Sequence, residues 1–438
     1  MTTSPRVPNA ELRKLLAESG WTGQMLAGAV NGLGAENGVT LRYDRTSISH
    51  WLSGSRPSPQ VVDLVAEVFS RQLGRPVGPE DTGLVSPAGR ALRIPLPREP
   101  VEQLVWMGTA STSGQDVLRG VTYSLTRRGA LPLVGTSPPA GGRGRIGVSH
   151  AAAATSMVSV FSAIDMAFGG GTGRVALSAY LATTVAPWLR ASATPKVRAR
   201  LNSAAARLCY LAGWMCFDDM LQGAGQRYYQ AAARLAADAG DACCYAAALR
   251  SLSVQAHYLG HRRMAFLLAE AAMRQSHRVP PMEAAFLTGQ LGVAAAAYGD
   301  SHAALGHLSR AERLLHRTEG SDAHVGGYDV AALAHQQAEI LDAIGDRPAA
   351  LRALTVSLRH RKPDQRRALA ITSARLAELH LSAGHLDRAC TAWSVLLDER
   401  PNLTSGRVDR AVRSMCAHLR PHSNHHAAKA LLKRASAG

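Results

Sequence analysis

Four glycines, Gly260, Gly299, Gly345 and Gly384, stand 39, 46 and 39 residues apart, and the residues around them repeat in kind. Five residues after each comes an alanine: Ala265, Ala304, Ala350 and Ala389. Seven before come Ser253, Gly292, Ala338 and Ala377, and twelve after come Ala272, Ala311, Ser357 and Leu396. Small side chains at fixed offsets let paired antiparallel helices approach closely. A pair of that kind buries its apolar face only by stacking on its neighbours, so the pattern predicts a helical solenoid. An earlier unit fits with Asp219 in the glycine place, flanked by Ala212 and Ala224. The register runs over about 199–400, with 404–419 and 425–435 as a terminal pair, and the whole repeat region is expected over 149–438.

The GDSHAAL, GDRPAAL and GHLDRAC segments resemble the tetratricopeptide repeat, lengthened at its turns. The resemblance implies that the first helix of each pair lines an inner groove. That helix offers Arg250, Gln255, His257, Gln290, His335, Gln336, Glu339 and Arg375. These amide, imidazole and guanidinium groups would suit a peptide, small-molecule or protein effector.

The N-terminal region has a different pattern. Glu11–Glu18 is amphipathic with Leu12, Leu15 and Leu16 inward. Thr22–Val30 follows with Met25, Leu26 and Val30 inward, and Pro59–Leu73 carries Val61, Val62, Leu64, Val65, Val68 and Phe69. Between them, Asp44 can cap a helix that Gly54 ends. In that helix Ile48, Trp51 and Leu52 form the inward stripe, which leaves Arg45, Thr46, Ser49 and His50 outward. Arginine bonds guanine bidentately, and the shorter polar groups reach bases or phosphates. Ser55 and Arg56 would contact the phosphate backbone, which fixes register without reading sequence.

The two segments LRKLLAESGWTGQMLA and DRTSISHWLSGSRPSP resemble the signature of XRE-type (Cro-like) helix-turn-helix regulators. The resemblance implies contact with a double-stranded DNA operator through Gln24, Arg42, Arg45, Thr46, Ser47, Ser49, His50, Ser55 and Arg56. Family members carry glutamine where this chain has Gly23, and Gln24 is the substitute one position on. The stretch Asn31–Asp44 is longer than the usual tight turn and reads as an extended turn. It resembles what actinobacterial members carry before an R-Y-D-R-T segment. Family membership would imply control of development or secondary metabolism.

Net charge is +17, yet residues 1–80 carry eight Lys/Arg against seven Asp/Glu, so bulk charge does not argue for DNA binding. From 76 to 148 the composition turns to Pro, Gly and Arg. This reads as a linker, with short helices at Val101–Met107 and Val117–Leu125 and a hinge at Pro138–Gly147. Pro5 and Pro8 interrupt the first residues and no long uninterrupted apolar run follows, so neither a signal peptide nor a membrane span is expected. The six cysteines have no CxxC or zinc-finger spacing and read as reduced core residues of a cytoplasmic protein. GGGTGR lacks the Lys-Ser/Thr ending of a phosphate loop and reads as a turn between helices. His422, His425 and His426 read as a solvated tail. No catalytic, metal or cofactor pattern is present.

The expectation is therefore all-α and not an enzyme. A helix-turn-helix domain over 9–75 and a tetratricopeptide-like solenoid would act together as a homodimeric transcriptional regulator. The alternative is a repeat scaffold whose helix-turn-helix no longer reads DNA.

Overall fold

The computed structural model describes residues 7–85, 99–113, 115–125, 144–317 and 328–437. Among these residues the regular elements are helices, apart from one isolated bridge between Arg145 and Ser192.

The head holds α1 (Ala10–Ser19), α2 (Gly23–Glu36), α3 (Arg45–Leu52) and α4 (Pro59–Leu73). Side chains one residue ahead stop the free amides of the first three helices. Asn9 accepts from the Leu12 amide, Thr22 from Met25 and Asp44 from Ser47. Pro59 opens α4 with φ already set for a helix. Leu12, Leu26, Val30, Ile48, Trp51, Val65 and Phe69 meet in one core. Two sequence expectations need correction. Met25 lies half-exposed in the first turn of α2, while Leu26 alone turns inward there. The stretch from Asn31 is also not all turn, because α2 continues through Glu36 with Leu33 and Gly34 buried.

Helix α5 (Pro100–Thr112) and the short α6 (Gln115–Arg119) send Leu104, Met107 and Leu118 into the largest core of the molecule. The helix expected over Val117–Leu125 stops at Arg119. Residues 121–125 run without helix across the repeats, with Val121, Tyr123 and Leu125 buried. Gln226 pins this strap at both ends of its amide: its Oε1 accepts from the Ser124 amide at 3.2 Å, and its Nε2 donates to the Ser124 carbonyl at 2.9 Å. Of the hinge expected at Pro138–Gly147, residues 138–143 lie outside the described residues. The remainder is tied down by Ile146 N–H to Ser192 O, 2.9 Å.

The repeats begin with α7 (Val148–Phe168) and α8 (Gly170–Tyr180), which runs on through a π turn at Leu181–Val185 into α9 (Ala186–Arg190). They continue as α10 (Pro195–Asp218), α11 (Gln222–Ala239), α12 (Ala242–Tyr258), α13 (Arg262–Met273), α14 (Pro281–Tyr298) and α15 (Ser301–His316). The last are α16 (Val330–Ala343), α17 (Arg347–His360), α18 (Arg366–Ser382), α19 (Leu386–Glu399), α20 (Gly406–Leu419) and α21 (His426–Ala437). Each sequence-marked glycine sits at a helix–helix turn with positive φ, from 79° at Gly384 to 104° at Gly299. Ala265, Ala304, Ala350 and Ala389 are fully buried where the paired helices cross. Ser253 and Ser357, which share the small-residue register, spend their hydroxyls on the carbonyls of Ala265 and Ala331, both at 2.7 Å. The repeat region is thus an all-α solenoid built on close helix contacts.

Helix α7 is long and apolar enough to cross a membrane by length and composition. Ala151, Ala154 and Phe161 face the core with α10, whereas Val160, Met166 and Phe168 lie on its exposed side.

The solenoid closes on itself. Arg367, at the start of α18, bonds both oxygens of Asp165 at 2.8 Å and Asp218 at 3.1 Å. Beside it the Thr404 amide donates to Phe168 O at 2.8 Å, the Gly171 amide donates to Thr404 O at 2.9 Å, and Ser405 Oγ donates to Asp218 at 2.8 Å. These contacts join the last repeats to the first. The paired side chains are largely withdrawn from solvent, so each charge needs the others.

Candidate functional site

Two surfaces gather the polar residues singled out in the sequence. The first is α3 of the head. Asp44 holds its N-terminus through the Ser47 amide at 2.8 Å and the Ser47 hydroxyl at 2.7 Å. The Ser47 hydroxyl and amide hold the Asp44 carboxyl below its ordinary value. The segment before α3 is fixed by a two-bond clamp. Asn31 donates to Tyr43 O at 2.8 Å and accepts from the Tyr43 amide at 2.9 Å, while the Tyr43 ring packs edge-on against Trp51. Asn31 was not marked in the sequence. Its signal is an amide in the middle of an otherwise small and apolar helix.

On this platform Gln24, Arg42, Arg45, Thr46, Ser49, His50 and Arg56 are exposed, and Ser55 is half-buried. Ser47 belongs to the cap instead, because its hydroxyl is committed to Asp44. A Cβ added at Gly23 would meet Ile48 at 3.5 Å, so the missing side chain falls against α3 and not in solvent. Helix α3 rests on α1 and α2. The head reaches the repeats from elsewhere. Glu36, at the end of α2, pairs with Arg410 at 3.4 Å, and Glu67 on α4 meets His261 at 2.7 Å. Arg71 ties Glu36 and Glu67 together at 2.9 and 3.0 Å.

The second surface is the ring interior. Four of the eight groove residues expected there are instead buried between helices. Gln255 donates to Gln222 O at 2.8 Å, Gln290 donates to Ser253 Oγ at 3.1 Å, and Gln336 accepts from Tyr328 at 2.6 Å. Arg250 lies 3.7 Å over the Phe286 ring. The small residues of the register bring the helices close, so these amides bond to groups on neighbouring segments, since an unmet buried polar group costs about 1–3 kcal/mol.

The other four, His257, His335, Glu339 and Arg375, remain half-buried and form part of a ladder across successive repeats. Arg375 meets Glu339 at 3.2 Å, Asp342 at 2.5 Å and Glu378 at 3.6 Å, while Ser414 donates to Glu378 at 3.3 Å. Burial lowers the imidazole pKa of His257 and His335. Burial alone would raise the Glu339 carboxyl, but His335, Arg375 and His257 together hold it below its ordinary value.

Residues absent from the sequence reading complete the interior. Arg407 lies 4.9 Å over Phe217 and 5.8 Å over Tyr258, and Arg410 lies 5.3 Å over the same tyrosine. Trp214 stands 5.6 Å from Phe217 and faces Arg367 at 5.7 Å. Arg407 and Arg410 escaped notice because they follow the last register glycine and meet these aromatics only when the solenoid closes.

Residues 12–85 match the family model of the SP15 N-terminal domain. No curated protein matches the chain. Among solved structures, a Podosopora anserina protein with nearly identical TPR-like repeats shares 15% identity. The match covers 43% of this chain and 92% of that one, with a TM-score of 0.31. The APC/C hetero-tetramer Cut9-Hcn1 also shares 15% identity over 96% of this chain and 68% of that one, with a TM-score of 0.33.

Proposed function

We propose that the protein is a helical-repeat interaction protein whose ring holds a partner or effector and whose head addresses it to double-stranded DNA. The observation that carries this reading is the arrangement of α3. Arg45, Thr46, Ser49 and His50 stand exposed on a capped and clamped helix, while Glu36 and Glu67 of the head engage the repeats. Such a helix can enter a major groove without disturbing those contacts. The resemblance to XRE-type regulators supports the same role and adds a cytoplasmic, nucleoid-associated setting.

One helix of this length offers few base contacts, and the head is nearly neutral. Specific affinity then calls for two heads on two half-sites about one helical turn apart, hence a homodimer. Control would run from the ring interior through Arg410 and Glu36. An effector shifts DNA affinity only by binding the DNA-competent and incompetent states differently.

The second reading, a scaffold that does not bind DNA, is favoured by the same low head charge and by Gly23 in the glutamine position. Mapping the genomic DNA recovered with tagged wild-type protein and with Arg45→Ala separates the two. Discrete sites lost in the variant support the DNA reading. A wild-type profile no different from untagged background leaves the scaffold.

A further inference from the structure

From Val148 to Pro187, all within the described residues, no charged side chain is exposed. The chain as a whole is 18% Asp, Glu, Lys and Arg, yet this stretch carries only Asp165 and Arg174. Both are buried and paired: Asp165 bonds Arg367 at 2.8 Å, and Arg174 bonds Asp219 at 2.9 Å. Helix α7 packs on α8 and α10 with one side, and its other side faces solvent. On that outer side Ser149, Ala152, Ser156, Ser159, Ala163 and Met166 follow at steps of three and four residues, the spacing at which one helix lies along another. Val160 and Phe168 beside this seam are 49% and 53% exposed, and Val175 of α8 continues the apolar surface. Two of the nearby hydroxyls are turned away from solvent: Thr155 donates back to Ala151 O at 2.9 Å and Thr183 to Ala179 O at 2.8 Å.

The end unit of a helical solenoid ordinarily carries a polar outer face, because no further repeat covers it. Helix α7, which opens the first unit, lacks one. Each chain has a net charge of +17, so two copies repel wherever their arginine-bearing surfaces meet, and an acidic partner would gain nothing from a face without charge. A two-fold contact sets a patch against itself, which suits small and apolar groups. We propose that the outer face of α7, with Val175 of α8, is where a second copy of this chain docks, the two α7 helices running antiparallel across a two-fold axis. Arg145 and Arg190, exposed beside the start of α7, then stay far from their own equivalents. Helix α7 rises about 1.5 Å for each of its 21 residues, and α8 lies beside it at about 10 Å, so the face measures roughly 30 by 20 Å. Two such faces hide about 1,200 Å², above the ~1,000 Å² that a specific interface needs. Spanning a membrane would instead strip Asp165 of Arg367 and leave its charge in lipid. This inference deepens the functional reading, which needs two heads on one operator, and rests on it for the role of the dimer.

Sedimentation equilibrium of the full-length protein over about 1–100 μM tests it. The wild type should populate a dimer in that range. Val160→Glu and Val160→Lys place like charges near the axis and should each weaken the dimer at least about 100-fold, whereas an equimolar mixture of the two should pair again. Leu267→Glu, at a similarly exposed apolar position on α13, should leave the dimer unchanged. Circular dichroism should give the same helix content for all of them, because both positions face solvent. A wild type that is monomeric throughout overturns the proposal, and its flotation with phosphatidylcholine vesicles would then assign the face to lipid. Wild-type dimer affinity in both Val160 variants, or a mixture that fails to pair, also overturns it. Failure of the DNA reading is seen separately, as a dimer that depends on Val160 yet prefers no duplex.

Discussion

Glu67 Oε1 lies 2.7 Å from His261 Nε2, and both side chains are almost completely withdrawn from solvent. The contact joins α4 of the head to the turn between α12 and α13, across 194 residues of sequence. Tyr123 of the strap stacks on the same imidazole at 5.2 Å, so head, strap and repeats converge on one histidine. The head is therefore seated on the repeats by a polar contact that tolerates little change in either partner.

Removing one partner strands the other. His261→Leu and Glu67→Leu should each cost about 1–3 kcal/mol, whereas the double variant should cost less than their sum by about 0.5–3 kcal/mol. Urea unfolding of the four proteins measures this coupling. Strict additivity would mean that the contact contributes nothing.

Ring closure depends more on charge. Arg367→Met leaves Asp165 and Asp218 buried without their shared cation, and should cost about 3–5 kcal/mol. Lysine cannot hold both Asp165 oxygens in a planar fork, so Arg367→Lys should recover only part of the loss. Equilibrium unfolding gives the cost, and small-angle scattering should show the ring opened in the methionine variant.

The close contacts of the repeats were the most legible part of the sequence. Ala265, Ala304, Ala350 and Ala389 could be found by offset alone because a stacked unit repeats its tight spots at fixed spacing. The outward face of α3 was legible too, through helical spacing and the Asp44 cap. What could not be read was which polar residues the tight spots would consume. Gln255 shares a helix with His257, and Gln336 with His335, yet only the packed neighbours decide which turn inward. The pairings of Arg367 with Asp218 and of Glu36 with Arg410 were invisible for another reason, since these partners are 149 and 374 residues apart and meet only in the folded molecule.

The same tight spots set a prediction for packing. Ala350→Leu inserts three carbons at a fully buried crossing and should cost about 1–3 kcal/mol through overpacking. At the half-buried Ala349 in the same turn, the same change should cost less. Denaturant midpoints of the two variants decide it.

Stability should also fall on acidification. His257 and His335 have pKa values below the ordinary 6.5 because burial disfavours their charged forms. The unfolded chain then binds more protons near and below that value. Their contribution is complete above about pH 6.5 and is lost as pH falls through the lower folded-state values. Glu339, also held below its ordinary 4.5, adds a loss at still lower pH. The melting temperature should therefore drop between pH 7.5 and 5.5, with a shallower slope in His335→Gln. An unchanged slope would remove His335 from the account.

The claim that the head reads DNA is tested most directly by fluorescence anisotropy. Duplexes are first enriched from a random library with full-length protein, and the enriched and scrambled sequences are then titrated at one salt concentration. The account predicts that the wild type prefers the enriched duplex by about 1000-fold or more. Arg45→Ala should lose about 10-fold on that duplex and relax preference at one base position, while Arg56→Ala should weaken both duplexes alike. Equal affinity of the wild type for enriched and scrambled duplexes would contradict the account.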